Sequence, residues 1–197
     1  MCSPTPLRTA HSRHRCLYAM AAGLLAAPAL AQPATGDLSH APSIYLQASK
    51  AEHGTDALTA GATLPWRQWR GQLWGGELRG HWDIYLSRWS FDGMGGHNHS
   101  LVLGVTPTLR LRPHGGRSAW FCEAGIGATL ASHRYRPVGQ EAFSTRFNFA
   151  SHLGLGVNLG AQRQHELLLR LQHVSNAGIK EPNPGLNFVQ LRYALHF

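Results

Sequence analysis

The chain has 197 residues, of which 14% are charged, with 22 glycines, 6 tryptophans and a formal charge of +8. That length fits one domain or two very small ones, and a 43% apolar fraction without low-complexity tracts excludes a disordered chain. Three cysteines exclude a disulfide-stapled scaffold, and no Arg/Lys-rich recognition helix or related motif points to a nucleic-acid partner.

Residues 1–31 read as an export leader. Arg8, Arg13 and Arg15 form a positive n-region, Leu17 to Leu30 an apolar stretch, and Ala29-Leu30-Ala31 a small-x-small cleavage signal. The expected mature chain, residues 32–197, is a single domain that begins at Gln32. Loss of the three leader arginines lowers its formal charge to about +5. Cys122 is then the one remaining cysteine. In an oxidising compartment a lone thiol is expected to be buried or shielded, because an exposed one would pair between molecules.

The rest reads as strands, with the two-residue period that sends alternate side chains to opposite faces. Weak strands are predicted at Ser43–Lys50 and around Leu58–Trp69. Leu78–Trp89 then sets Leu78, Trp82, Ile84 and Leu86 against Arg79, His81, Asp83 and Ser87. After the turn-rich 92–96 segment, Ser100–Arg112 sets Leu101, Leu103, Val105, Leu109 and Leu111 against Gly104, Thr106, Thr108, Arg110 and Arg112, with Val102 out of phase. Trp120–Leu130 and Phe147–Gly160 repeat the pattern, and strands at Glu166–Ser175 and Asn187–Phe197 close the chain. His97-Asn98-His99 could offer two imidazoles to a metal, but without a nearby Cys or paired carboxylate it is expected to lie in a solvated loop.

The face that points inward decides the class. A soluble barrel is apolar inside, whereas a membrane barrel is apolar outside with a polar lumen. Here one face is continuous Leu, Val and Phe, and the other is crowded with Gly, Asn, Arg, Asp and Glu. The polar face suits a narrow lumen with Asp83 and Glu123 paired to Arg79, Arg110 or Arg112. Val189, Leu191, Tyr193, Leu195 and Phe197 alternate with polar or small residues, and the chain stops on an aromatic. This looks like the closing strand that outer-membrane barrels present to their assembly machinery. The expected fold is all-β: an eight-stranded antiparallel transmembrane β-barrel of the bacterial outer membrane.

In the strand before last, the apolar phase of Leu167, Leu169 and Leu171 continues into His173 and Ser175. An i, i+2 pair lies on one face, roughly 6.5–7 Å apart at Cα. An imidazole that takes a hydroxyl proton makes serine a nucleophile, and Asn176-Ala177-Gly178 could turn backbone N–H groups toward an oxyanion. A polar strand end at the membrane–water boundary would also explain these residues.

The segment Gln172-His173-Val174-Ser175-Asn176-Ala177-Gly178, with Pro182-Asn183-Pro184-Gly185 and Leu191-Arg192-Tyr193, resembles the outer-membrane lipid A 3-O-deacylases. The resemblance is strong over roughly the last 30 residues. It implies Ser175 as nucleophile, His173 as general base, Asn176 beside the site, and cleavage of the 3-hydroxyacyl ester at position 3 of lipid A. The third triad member it implies is a glutamate just after the Pro/Asn/Gly turn, where this chain has Asn187. If the hairpin is symmetric about Glu181, Asn187 lies opposite Ser175 and within reach of His173.

Three readings follow: a triad oriented by Asn187, a dyad assisted by Glu181 as substitute acid, or a weakened or inactive homologue. The expected substrate is lipid A or lipopolysaccharide, with its acyl chains along Leu167–Leu171, and no cofactor or metal is expected. A homodimer is left open. The rival reading is a non-catalytic surface-interaction barrel.

Overall fold

Strands with one apolar and one polar face can bury every backbone hydrogen bond only by pairing edge to edge until the sheet closes. The computed structural model describes residues 36–197, so the leader reading falls outside the described residues. The strands are β1 (Ser43–Ala51), β2 (Asp56–Leu73), β3 (Gly76–Gly93), β4 (Gly96–Arg112), β5 (Trp120–Ala131), β6 (Phe147–Leu159), β7 (His165–Ser175) and β8 (Leu186–His196). Each pairs antiparallel with the next, and β1 pairs with β8 to close an eight-stranded barrel. All eight strands expected from the alternation are present.

Short turns join the strands at the end of the barrel that holds both described termini, as at Trp74-Gly75, where both residues take positive φ and match the twist of a tight hairpin. The connections β5–β6 and β7–β8, at the opposite end, are the long ones. β2, β3 and β4 all run longer than expected, β3 spanning Gly76–Gly93 rather than Leu78–Trp89. β2 runs on to Leu73, its pairing shifted between Pro65 and Arg70, where Pro65 has no N–H to donate. His97-Asn98-His99 lies within β4 rather than in a loop, because β3 and β4 pair all the way to Gly93↔Gly96. There His97 bonds Asp92 (3.0 Å) and His99 contacts Ser90 (3.2 Å).

The outer wall carries Leu46, Leu103, Leu153, Leu155, Leu169, Leu171 and Leu191, all exposed, which is the arrangement of a barrel solvated by lipid. Cys122 is exposed on this wall, so lipid is what would shield it from pairing. The lumen holds a buried ion network. Arg110 bonds Glu166 (2.6 Å) and Glu123 (2.7 Å), and Arg170 bonds Glu123 (2.6 Å) and Asp83 (2.9 Å). Arg192 completes it on Asp83 at 2.9 Å, where Tyr45 also donates at 2.6 Å.

Arg110 is therefore a partner of Glu123, as expected, but Arg79 and Arg112 are partners of neither acid. Arg79 pairs with Glu77, and Arg112 bonds Asn158 and backbone carbonyls. The two cations that replace them come from β7 and β8, across the lumen. Opposite charges packed this densely offset the large cost of dehydrating each one.

The lumen is not polar throughout. Toward the end with the long connections it is filled by Trp89, Phe91, Val102, Tyr135, Phe143, Val174, Leu186 and Phe188. This apolar plug explains why Val102 breaks the polar phase of β4, since it is 1% exposed inside the plug. Trp89 packs on Phe188 with ring centroids 5.1 Å apart. Val174, Leu186 and Phe188 alternate with the outward side chains of β7 and β8 and brace them from behind.

Candidate active site

Strand register assembles the site. His173 faces Ser151 on β6 and Asn187 on β8, all three on the outer surface. His173 Nδ1 and Asn187 Oδ1 are 2.8 Å apart. Asn187 thus lies opposite His173, not opposite Ser175. The β7–β8 hairpin is centred on Lys180 rather than Glu181, because residues 176–185 fold into a loop with its own hydrogen bonds. Ser175 lies two residues further along the same face, half-buried beside Phe149 and beyond the last β7–β8 pair. No hydrogen bond joins Ser175 to His173 among the described residues, and such contacts often tighten only when substrate binds.

The acid behind the site is one that the sequence reading missed. Asn187 Nδ2 donates to Glu52 Oε1 at 2.8 Å. Glu52 opens the short helical turn Glu52–Gly54 that follows β1. The closing β1–β8 pairing sets Ala51 opposite Phe188, which brings the next residue level with Asn187. Glu181, expected as the substitute acid, instead accepts the Asn183 N–H at 3.0 Å within the turn. No hydrogen bond joins Glu181 to His173 among the described residues.

The expected oxyanion donors are also largely engaged elsewhere. The Asn176 N–H donates to Asn183 Oδ1 and the Gly178 N–H to Asn176 Oδ1, both at 2.9 Å. The Asn176 side chain, 1% exposed, donates to Ser144 and to the Lys180 carbonyl. Asn176 therefore holds the loop from within. Of the three, Ala177, at φ 55, is the one whose N–H meets no acceptor among the described residues.

The imidazole is confined from above by Gly185, where a Cβ would lie 2.9 Å from His173 Cε1. With φ at 72°, this position suits glycine on both conformational and steric grounds. Beneath His173 the wall opens into a groove of about 760 Å³ lined by Leu153, Leu171, Val189 and Lys50. These four residues share one row across β6, β7, β8 and β1. The groove is apolar along Leu153, Leu171 and Val189 and carries both Lys50 and Glu52 on its β1 side.

Several known proteins resemble this chain. A Bordetella bronchiseptica protein named lipid A deacylase PagL is 36% identical over 132 residues, spanning 64% of this chain and 70% of the relative. A Pseudomonas aeruginosa protein of the same name is 28% identical over 175 residues, spanning 87% of this chain and 97% of the relative. A solved structure described as the outer membrane enzyme PagL superposes with a TM-score of 0.66 at 23% identity, covering 79% of this chain and 99% of that one. The family described as lipid A 3-O-deacylase (PagL) matches residues 56–196, most of the chain, and the chain belongs to that family.

Proposed function

We propose that the protein is an outer-membrane serine esterase that removes the 3-hydroxyacyl chain from position 3 of lipid A. The observation that carries this reading is His173, hydrogen-bonded to Asn187, on the same outward face as Ser175 and at the head of an apolar groove. Family membership supports the substrate, and the apolar outer wall supports the location.

Outer-membrane barrels keep their short turns in the periplasm and their longer loops outside. By that rule the end bearing Ser175 faces the outer leaflet, where lipid A resides. Its acyl chains would lie along Leu153, Leu171 and Val189, and Lys50 would meet a phosphate. The substrate then need not leave the leaflet. The leader at residues 1–31 would direct export, and β8 with the following Phe197 would serve the assembly machinery.

With Asn187 Oδ1 accepting from Nδ1–H, Nε2 of His173 is left to take the Ser175 proton. The Ser175 oxygen then attacks the acyl carbon, with the tetrahedral oxyanion directed toward the free Ala177 N–H. Collapse breaks the ester C–O bond, and His173 returns the proton to the sugar oxygen. Water next attacks the acyl-serine, again losing a proton to His173. That proton goes back to Ser175 as the 3-hydroxy acid leaves.

Mass spectrometry of lipid A incubated with the refolded protein tests this reading. The expected result is loss of one 3-hydroxyacyl mass with wild type and none with Ser175→Ala. Unchanged lipid A with both would favour a non-catalytic barrel.

A further inference from the structure

We propose that Glu52 is a positioning residue of this esterase: it sets which way the Asn187 amide points and places a carboxylate behind it, so that Glu52, Asn187, His173 and Ser175 form a four-membered relay. The inference rests on the reading of Ser175 and His173 as the catalytic pair.

Hydrogen-bond polarity fixes how the amide is turned. An ionised carboxylate only accepts, so the Asn187 group 2.8 Å from Glu52 Oε1 must be its NH₂. The amide oxygen is thereby turned toward His173, 2.8 Å from Nδ1. That oxygen also only accepts, so Nδ1 must carry the ring proton and Nε2 must be free to act as base. Without Glu52 either face of the amide could meet the ring. The flipped amide would donate to Nδ1 and select the tautomer with its proton on Nε2, which cannot deprotonate serine. Glu52 therefore selects the productive tautomer from one residue away.

It also answers the charge problem at position 187. A neutral amide orients an imidazole but does little to stabilise the imidazolium formed during attack. A carboxylate across a single amide group restores negative charge to the far end of the relay. The Glu52 side chain is 55% exposed, so solvent screens that charge and its effect is moderate. The β1–β8 register, which ends at Ala51↔Phe188, sets the adjoining backbone of Glu52 level with Asn187.

The charged and titratable groups around the relay are few. His53 Nε2 lies 3.6 Å from the other Glu52 oxygen, and Lys50 pairs with Asp56 at 4.0 Å. The Tyr135 hydroxyl is taken by Thr55 at 2.7 Å. None of these contacts occupies the Glu52 oxygen that faces Asn187.

The test is a mutant cycle on the whole protein refolded in detergent, reading lipid A turnover against substrate concentration, with heat-modifiable gel mobility as the folding control. Glu52→Ala is expected to lower kcat about 10- to 100-fold with KM little changed. Glu52→Asp should recover part of the rate.

The sign of the coupling is the sharper test. Asn187→Glu sets two carboxylates against each other, so adding Glu52→Gln should raise the activity of that variant while lowering that of wild type. A folded Glu52→Ala protein with unchanged kcat would overturn the proposal. So would a Glu52→Gln loss of equal size in both backgrounds. If Ser175→Ala retained turnover, the failure would belong to the catalytic pair and not to Glu52.

Discussion

Replacing Gly185 by alanine should disable the site without unfolding the barrel. The added Cβ would lie 2.9 Å from His173 Cε1, where ordinary contacts are 3.4–4 Å, so the ring must retreat or the loop must lift. The ring cannot retreat freely, since Asn187 holds it at 2.8 Å. A displacement of about 0.5–1 Å at a proton-transferring group is enough to reduce turnover by about 100-fold. Alanine at this positive φ adds roughly 1–2 kcal/mol of backbone strain, borne by a surface loop.

Gly178→Ala separates the two effects, because Gly178 has nearly the same backbone angle, φ 75, but nothing within 4 Å of its Cβ. The assay is the initial rate of lipid A deacylation, compared with heat-modifiable mobility for each variant. The expected outcome is a large kcat loss for Gly185→Ala and a small one for Gly178→Ala, both folded. Equal losses would make loop strain the cause, and an unchanged Gly185→Ala rate would refute the idea that this imidazole position governs the chemistry.

Other consequences can be checked on the same preparations. Phe188→Ala empties the plug beneath Asn187, where Phe188 is 2% exposed, and should cost about 3–5 kcal/mol, read as a lower thermal midpoint in gel mobility. Arg170→Met leaves Asp83 and Glu123 short of a partner and should destabilise by about 3–5 kcal/mol, while the specific activity of the folded fraction stays near wild type. In liposomes, Cys122 should react with an apolar maleimide and resist a charged, impermeant one. Equal labelling by both would contradict its place on the lipid-facing wall.

How far the chain could be read before folding depended on the range of the interaction. The alternation of β4, β6 and β7 placed side chains on the correct wall because the two-residue period is local. The outward row of Leu167, Leu169, Leu171, His173 and Ser175 was legible for the same reason. Val102 read as an irregularity because the plug that accepts it is assembled from distant strands.

The partners of Asp83 were missed likewise: Arg170 and Arg192 reach it across the lumen, at a separation no periodicity encodes. Asn187 was placed on the correct face but against the wrong neighbour. Its register depends on how residues 176–185 fold, and Asn176 and Asn183 decide that through their side chains. Glu52 was the least accessible. It belongs to the first hairpin and meets the last strand only because the barrel closes.

Ester cleavage by this site requires the Ser175 oxygen to form a bond to an acyl-like centre. The most direct measurement is intact-protein and peptide mass spectrometry after treating the refolded barrel with a long-chain fluorophosphonate in detergent micelles. The account expects a single adduct on Ser175, absent in Ser175→Ala and formed far more slowly in His173→Ala. An adduct on another residue, or none on a correctly folded wild type, would contradict it.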